Sequence, residues 1–187
     1  MSLKSPPPVP VREGVADHAP PPPGPGALRA CMARFATGVT VVTYTDGDPD
    51  GDGDPRGATM NSFTSVSADP PLVLISVARR ARCHDQLIGR PFCVNVLGAE
   101  QEPLARLFAG SRGIAEPSWV PDARIPRLHN PLAWFECEPW RSYNCGDHTL
   151  VVGRVTDLGH RDGDALTYAW SRFGTTVQST DGIEHLI

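Results

Sequence analysis

"RGATMNSFTSVSADPPLVLISVARRARCH", residues 56–84, decides how the rest of the chain is read. Its first half places Thr59, Asn61, Ser62, Thr64, Ser65 and Ser67 where a buried strand would carry aliphatic side chains. Its second half, Leu72 to Val77, is an aliphatic run that suits a central strand. Arg79, Arg80 and Arg82 follow at once, just before a helix predicted over 83–90. A helix start beside guanidinium groups attracts anions, phosphate above all. Small side chains at Gly57, Ala58 and Ser62 would let a ligand approach the backbone, and the amides and hydroxyls from Asn61 to Ser67 would offer it donors and acceptors. A flat heteroaromatic along this polar strand, with its phosphate at the helix start, uses both halves. A solvated edge strand followed by surface arginines accounts for the same residues equally well.

Working outward, "VTVVTYT" at 39–45 is β-branched and reads as a strand, and "PFCVNVL" at 91–97 as another. Between the first of these and residue 56 lies "DGDPDGDGDP", whose D-x-D-x-D-G head resembles a calcium loop. Its twelfth position is Gly57 rather than a bidentate Glu, so a hairpin loop is expected instead. "ALRACMARFATG" at 27–38 reads as a helix, with Leu28, Cys31, Met32 and Phe35 at helical spacing and Gly38 as the residue past its end. "EQEPLARLFA" at 100–109 is a second helix with Leu104, Leu107 and Phe108 facing inward. Prolines 117, 121 and 126 keep 110–130 irregular. Strands return at 131–140, 147–160 and 165–170. Six or seven strands with few short helices predict a mainly β fold, a barrel with peripheral α-helices, over 27–187. Residues 1–26, with "PPPVP" and "PPPGPG", are expected to form a disordered, proline-rich arm, extended and solvated, that buries nothing.

The chain has 187 residues, 40% hydrophobic and 20% charged, with net charge −4. An acidic balance argues against nucleic acid or a membrane surface as partner. No apolar run approaches the roughly 20 residues of a membrane span, and the start lacks the apolar region of a secretory signal. Five cysteines with no C-x-x-C pair suit a reducing compartment, so a cytoplasmic location is expected. Cys145 and His148 have metal-like spacing, but without a second well-spaced pair no metal site is expected.

Seven blocks, in order, resemble the flavin reductase-like family, the reductase components of two-component flavin-dependent monooxygenases. They are "RFATGVTVVT" at 34–43, "GATMNSFTSVSADPPLVLISVAR" at 57–79, "PFCVNVL" at 91–97, "LARLFAG" at 104–110, "FEC" at 135–137, "GDHTLVVGRV" at 146–155 and "LTYAWSRFG" at 166–174. The resemblance implies an FMN-binding split β-barrel, usually a homodimer with the flavin near the subunit interface. It implies an NAD(P)H-dependent flavin reductase that takes FMN or FAD, draws on NADH or NADPH, and supplies reduced flavin to a separate oxygenase. It also implies flavin contacts at Thr59, Met60, Asn61, Ser62, Ser65, Val66, Ser67, Ala78, Arg79 and Phe108, and phosphate contacts at Arg82 and Cys83. His148, in "GDH", falls where the family places a residue beside flavin and nicotinamide. This chain carries Arg82-Cys83 where relatives usually have Ser or Thr, and "GSRGIAEPSWV" where many have Asp-(Arg/Lys)-Phe. Two alternatives stay open: a flavoprotein that keeps its flavin for another redox reaction, and a non-enzymatic flavin-binding electron carrier.

Overall fold

The computed structural model describes residues 22–47, 53–111, 113 and 115–176. Most of the proline-rich arm, and residues 48–52 of the Asp-Gly loop, lie outside them. The chain divides after Met32 into two units. The first contains helix α1 (Pro25–Met32), which has no buried residue. The second contains strands β1 (Thr37–Gly38), β2 (Thr40–Thr45), β3 (Pro55–Met60), β4 (Thr64–Ala68), β5 (Pro71–Ala78), β6 (Phe92–Val96), β7 (Ala133–Cys145), β8 (His148–His160), β9 (Leu166–Ala169) and β10 (Arg172–Thr175). It also contains helices α2 (His84–Leu87) and α3 (Glu102–Phe108). Among the described residues no helix is long and apolar enough to cross a membrane.

The helix expected over 27–38 therefore stops at Met32. Phe35 lies beyond it, and Gly38 is a strand residue rather than a helix terminator. Pairing decides this: Thr37 and Gly38 take Tyr168 and Thr167 of β9 as partners, so their backbone groups cannot serve a helical ladder.

The main sheet runs β3-β2-β6-β7-β8-β5-β4, every neighbouring pair antiparallel. Strands β3 and β4 are its two edges, yet only Asn61, Ser62 and Phe63 separate them in the chain. A link that short spans at most roughly 14 Å. The two edges must curl toward each other, and the sheet is a split β-barrel.

Strand β2 shows how the barrel is filled. Its neighbours Val41 and Val42 point to opposite faces, and both are fully buried. Val42 joins Tyr44, Val73, Ile75, Val77, Phe92 and Val151 in one apolar cluster. Val41 joins Val39, Leu97, Ala105, Leu128 and Leu166 in a second cluster, to which α3 and β9 contribute. The β-branched run seen in the sequence is thus buried on both sides. Its threonines are satisfied, Thr40 donating to the Met60 carbonyl at 2.9 Å and Thr43 to that of Cys93 at 3.3 Å.

The irregular stretch after α3 is anchored in part by a buried amide, beside Thr43 Oγ1 donating to the Pro126 carbonyl and Gln101 Nε2 to that of His129. Asn95 donates from Nδ2 to the Val41 carbonyl and accepts the Leu128 N–H on Oδ1, both at 3.0 Å. Leu128 is fully buried in the second cluster. A smaller sheet, β1-β9-β10, packs on the second cluster through Leu166, Tyr168 and Phe173; its strand β10 was not expected from the sequence.

Candidate active site at one end of the barrel

The polar half of the quoted stretch is not one strand but two, with a corner at Asn61–Phe63. Strand β3 follows β2 as far as Met60, opposite Thr40, and β4 joins β5 from Thr64, opposite Leu74. Ser62 holds the corner in place: its Oγ donates to the Ser76 carbonyl and accepts the Ser76 N–H, both at 3.0 Å. Phe63 fixes the turn from the apolar side, its ring 5.3 Å from that of Phe135. Thr59 Oγ1 donates to the Ala105 carbonyl at 2.6 Å, tying β3 to α3. Met60 is half-buried against the barrel core.

The small residues of this stretch serve packing as well. A Cβ on Gly57 would lie 3.0 Å from Cδ1 and Cε1 of Phe108. Gly57 thus leaves room for Phe108 and for the Val41 side chain, which a Cβ would also meet at 3.0 Å. Phe108 in turn meets Trp119 edge-on at 6.1 Å, which makes it part of the second apolar cluster. Ala58 packs against the first. What remains open is Asn61, which is exposed and makes no side-chain hydrogen bond among the described residues. Beyond the corner, β4 is an edge strand with a bulge between Ser65 and Ser67. The extra residue is Val66, half exposed at 50%, and Ser65 is exposed beside it.

Strand β5 delivers the second part of the site. Ala78 pairs with His148 of β8, and the Arg79 N–H donates to the Asp147 carbonyl at 3.0 Å. Arg79, Arg80 and Arg82 are exposed, and none forms an ion pair among the described residues. The helix expected over 83–90 is a single turn, His84–Leu87. Four residues build no useful macrodipole, so attraction for an anion rests on the guanidinium charges rather than on a helix terminus. Cys83 is buried at 6% exposure in the core, and burial pushes its thiol pKa up. Its side chain therefore faces away from solvent.

The third part is the tip of the β7–β8 hairpin. Gly146, at φ +61°, and Asp147 make the turn, and His148 follows opposite Cys145. The His148 ring is half exposed, with Nδ1 2.7 Å from Asp147 Oδ1. That hydrogen bond, followed by the charge of His148, holds the Asp147 carboxyl below its ordinary range.

Corner, arginine loop and hairpin tip lie together, since Ser62 bonds Ser76 and Ala78 pairs with His148. A cavity of about 640 Å³ adjoins the corner, lined by Thr59, Met60, Asn61, Arg106, Tyr168 and Arg172 among others. Arg106 is ion-paired to Glu102 at 2.6 Å and lies 4.9 Å over the Phe173 ring. Nothing in the sequence marked Arg106, Tyr168 or Arg172 as site residues. The hairpin that brings Arg172 there turns at Trp170–Ser171, both in the left-handed region at φ +54° and +59°. A Gly or Asn at that turn would have been a legible signal.

Comparison with known proteins adds the following. Residues 32–176 match the model of the flavin reductase like domain. An FMN reductase (NADH) of Agrobacterium fabrum is 41% identical over 151 residues, covering 79% of this chain and 84% of that protein. An NADH-dependent FAD reductase of Streptomyces globisporus is 43% identical over 137 residues, covering 68% and 72%. Among solved structures, the flavin reductase component of a bacterial two-component tryptophan halogenase superposes with a TM-score of 0.71 at 41% identity, over 82% of this chain and 99% of that one.

Proposed function

The chain belongs to the flavin reductase-like domain family, and from that premise we propose that it uses NADH to reduce a flavin, FMN or FAD, at the Asn61 end of the barrel. The observation that carries the reading is the grouping of an unbonded amide, three unpaired arginines and a half-exposed histidine at one end of a split barrel. These residues fit a flavin. The Asn61 amide presents a donor and an acceptor, as the imide edge of an isoalloxazine requires. The arginines suit its phosphate. When bound, the flavin accepts a hydride that the nicotinamide supplies.

The chain's own part is positioning and electrostatics. Asn61 and the backbone around the Val66 bulge orient the ring. Arg79 and Arg82 anchor the phosphate, with the Cys83 backbone rather than its thiol available beside them. His148, oriented by Asp147, stands where nicotinamide approaches. No acid–base dyad is needed for hydride transfer.

Reduced flavin then passes to a separate oxygenase. Relatives include the reductase component of a trigonelline monooxygenase from Acinetobacter baylyi and that of a 4-nitrophenol monooxygenase from Rhodococcus opacus. A homodimer fits the exposed outer half of β7, where Trp140 is 44% and Tyr143 48% exposed. We also assign the catalytic domain to 27–187, with 1–26 as an appended arm. NADH oxidation measured with and without added FMN, FAD or riboflavin tests the function. Turnover that rises with free flavin supports a reductase; a tightly held flavin inert to NADH overturns it.

A further inference from the structure

The arginine loop and the hairpin tip come from distant parts of the chain, and two links join them. One is the backbone bond from Arg79 N–H to the Asp147 carbonyl, 3.0 Å. The other runs through side chains. His84 Nε2 lies 2.9 Å from Thr149 Oγ1, and Thr149 Oγ1 donates to Asn144 Oδ1 at 3.2 Å. On its other side, His84 Nδ1 lies 2.6 Å from Asp85 Oδ1. These two contacts hold the ring in one orientation, with Nδ1 toward Asp85 and Nε2 toward Thr149.

Thr149 is 3% exposed, adjoins His148 in the chain, and pairs across the hairpin with Asn144. His84 therefore grips the cross-strand pair directly below the Cys145–His148 pair. Its own side chain is 17% exposed, and it opens α2, the turn that follows the arginine loop.

We propose that His84 is a positioning residue for His148: by holding the Thr149 hydroxyl it fixes the hairpin tip against the arginine loop. The flavin phosphate anchor and the nicotinamide-side histidine are thereby kept in one register. The inference rests on the reductase reading of His148, and its test separates the two.

The test compares H84Q, whose amide nitrogen reaches the position of Nε2, with H84N, which reaches Asp85 but not Thr149. T149V removes the hydroxyl at nearly constant shape. Stopped-flow reduction of pre-bound flavin by NADH should slow about tenfold or more in H84N and T149V, as misplaced catalytic geometry does. H84Q should restore most of that loss. The H84N/T149V double variant should be no slower than either single, because both break one link. Equal rates in H84Q and H84N, or multiplied losses in the double variant, would overturn the proposal.

A second readout needs no turnover. The ring resonances of His148, assigned by their loss in H148A, should match wild type in H84Q and move in H84N and T149V. Unmoved resonances in H84N count against the link. If wild type does not reduce flavin with NADH, the reductase reading falls, and the resonances still decide whether His84 positions His148.

Discussion

The Ser62 hydroxyl and the Ser76 backbone exchange two hydrogen bonds, each 3.0 Å long. A side chain thus does for Ser76 what a paired strand would do, at the one place where the chain leaves one barrel edge for the other. Ser62→Ala strands the Ser76 N–H and carbonyl and should cost about 1–3 kcal/mol of stability. Urea denaturation measures it; an unchanged midpoint would show that the corner holds without the pair.

Asn61 has the opposite character, being exposed and unbonded among the described residues. Asn61→Leu should leave the melting temperature near that of wild type while flavin affinity drops. Unaltered affinity in a folded variant would move the ring away from the corner.

The double variant Arg79→Ala/Arg82→Ala should bind FMN more weakly and riboflavin as before. A hydrogen bond to a charged group is worth about 1.5–3 kcal/mol, and these exposed arginines belong at the low end, weakening further with added salt. Equal losses for FMN and riboflavin would mean that the arginines do not recognise phosphate.

His148→Ala should slow reduction by NADH and raise its KM, with little effect on flavin affinity. The same change removes the hydrogen bond that holds the Asp147 carboxyl down, so that carboxyl should titrate closer to its ordinary value. Kinetics and a carboxyl NMR titration check the two halves separately.

The cysteines divide by burial. Cys31 and Cys145 are exposed, whereas Cys83, Cys93 and Cys137 are buried. A thiol reagent at neutral pH should label the first pair and reach the others only after unfolding. Burial, aided by the Glu136 charge, raises the Cys93 and Cys137 thiols from 9.0 to about 12. Above pH 9 the unfolded chain therefore holds fewer protons than the folded one. Their contribution to stability is whole below that pH and is lost as the pH climbs toward 12. Denaturation midpoints at pH 8 and above should fall accordingly.

Much of the barrel was legible because its strands carry the pattern that burial demands. Val73, Ile75 and Val77 alternate into the core from β5, and β2 is β-branched at every position but Tyr44. The corner was not legible, since a serine that replaces a backbone partner looks like any other strand serine. Gly57 is ambiguous for a related reason: a small residue is needed equally under a ligand and under Phe108. The residues from 83 to 90 showed an apolar spacing too short to tell one turn from a helix. Of the proposed site, the arginine loop was suggested by its own charges and His148 by resemblance, while the cavity wall from α3, β9 and β10 depended on tertiary packing alone.

The β7–β8 hairpin has thirteen residues on each side of its tight turn. Its contacts are local in sequence, and local contacts form first. The pairing of Ala78 with His148 is not local, and it must wait until β5 arrives from far up the chain. His148 should thus reach its place on the hairpin before it meets the arginine loop. A chain arrested during folding would own the histidine but no site.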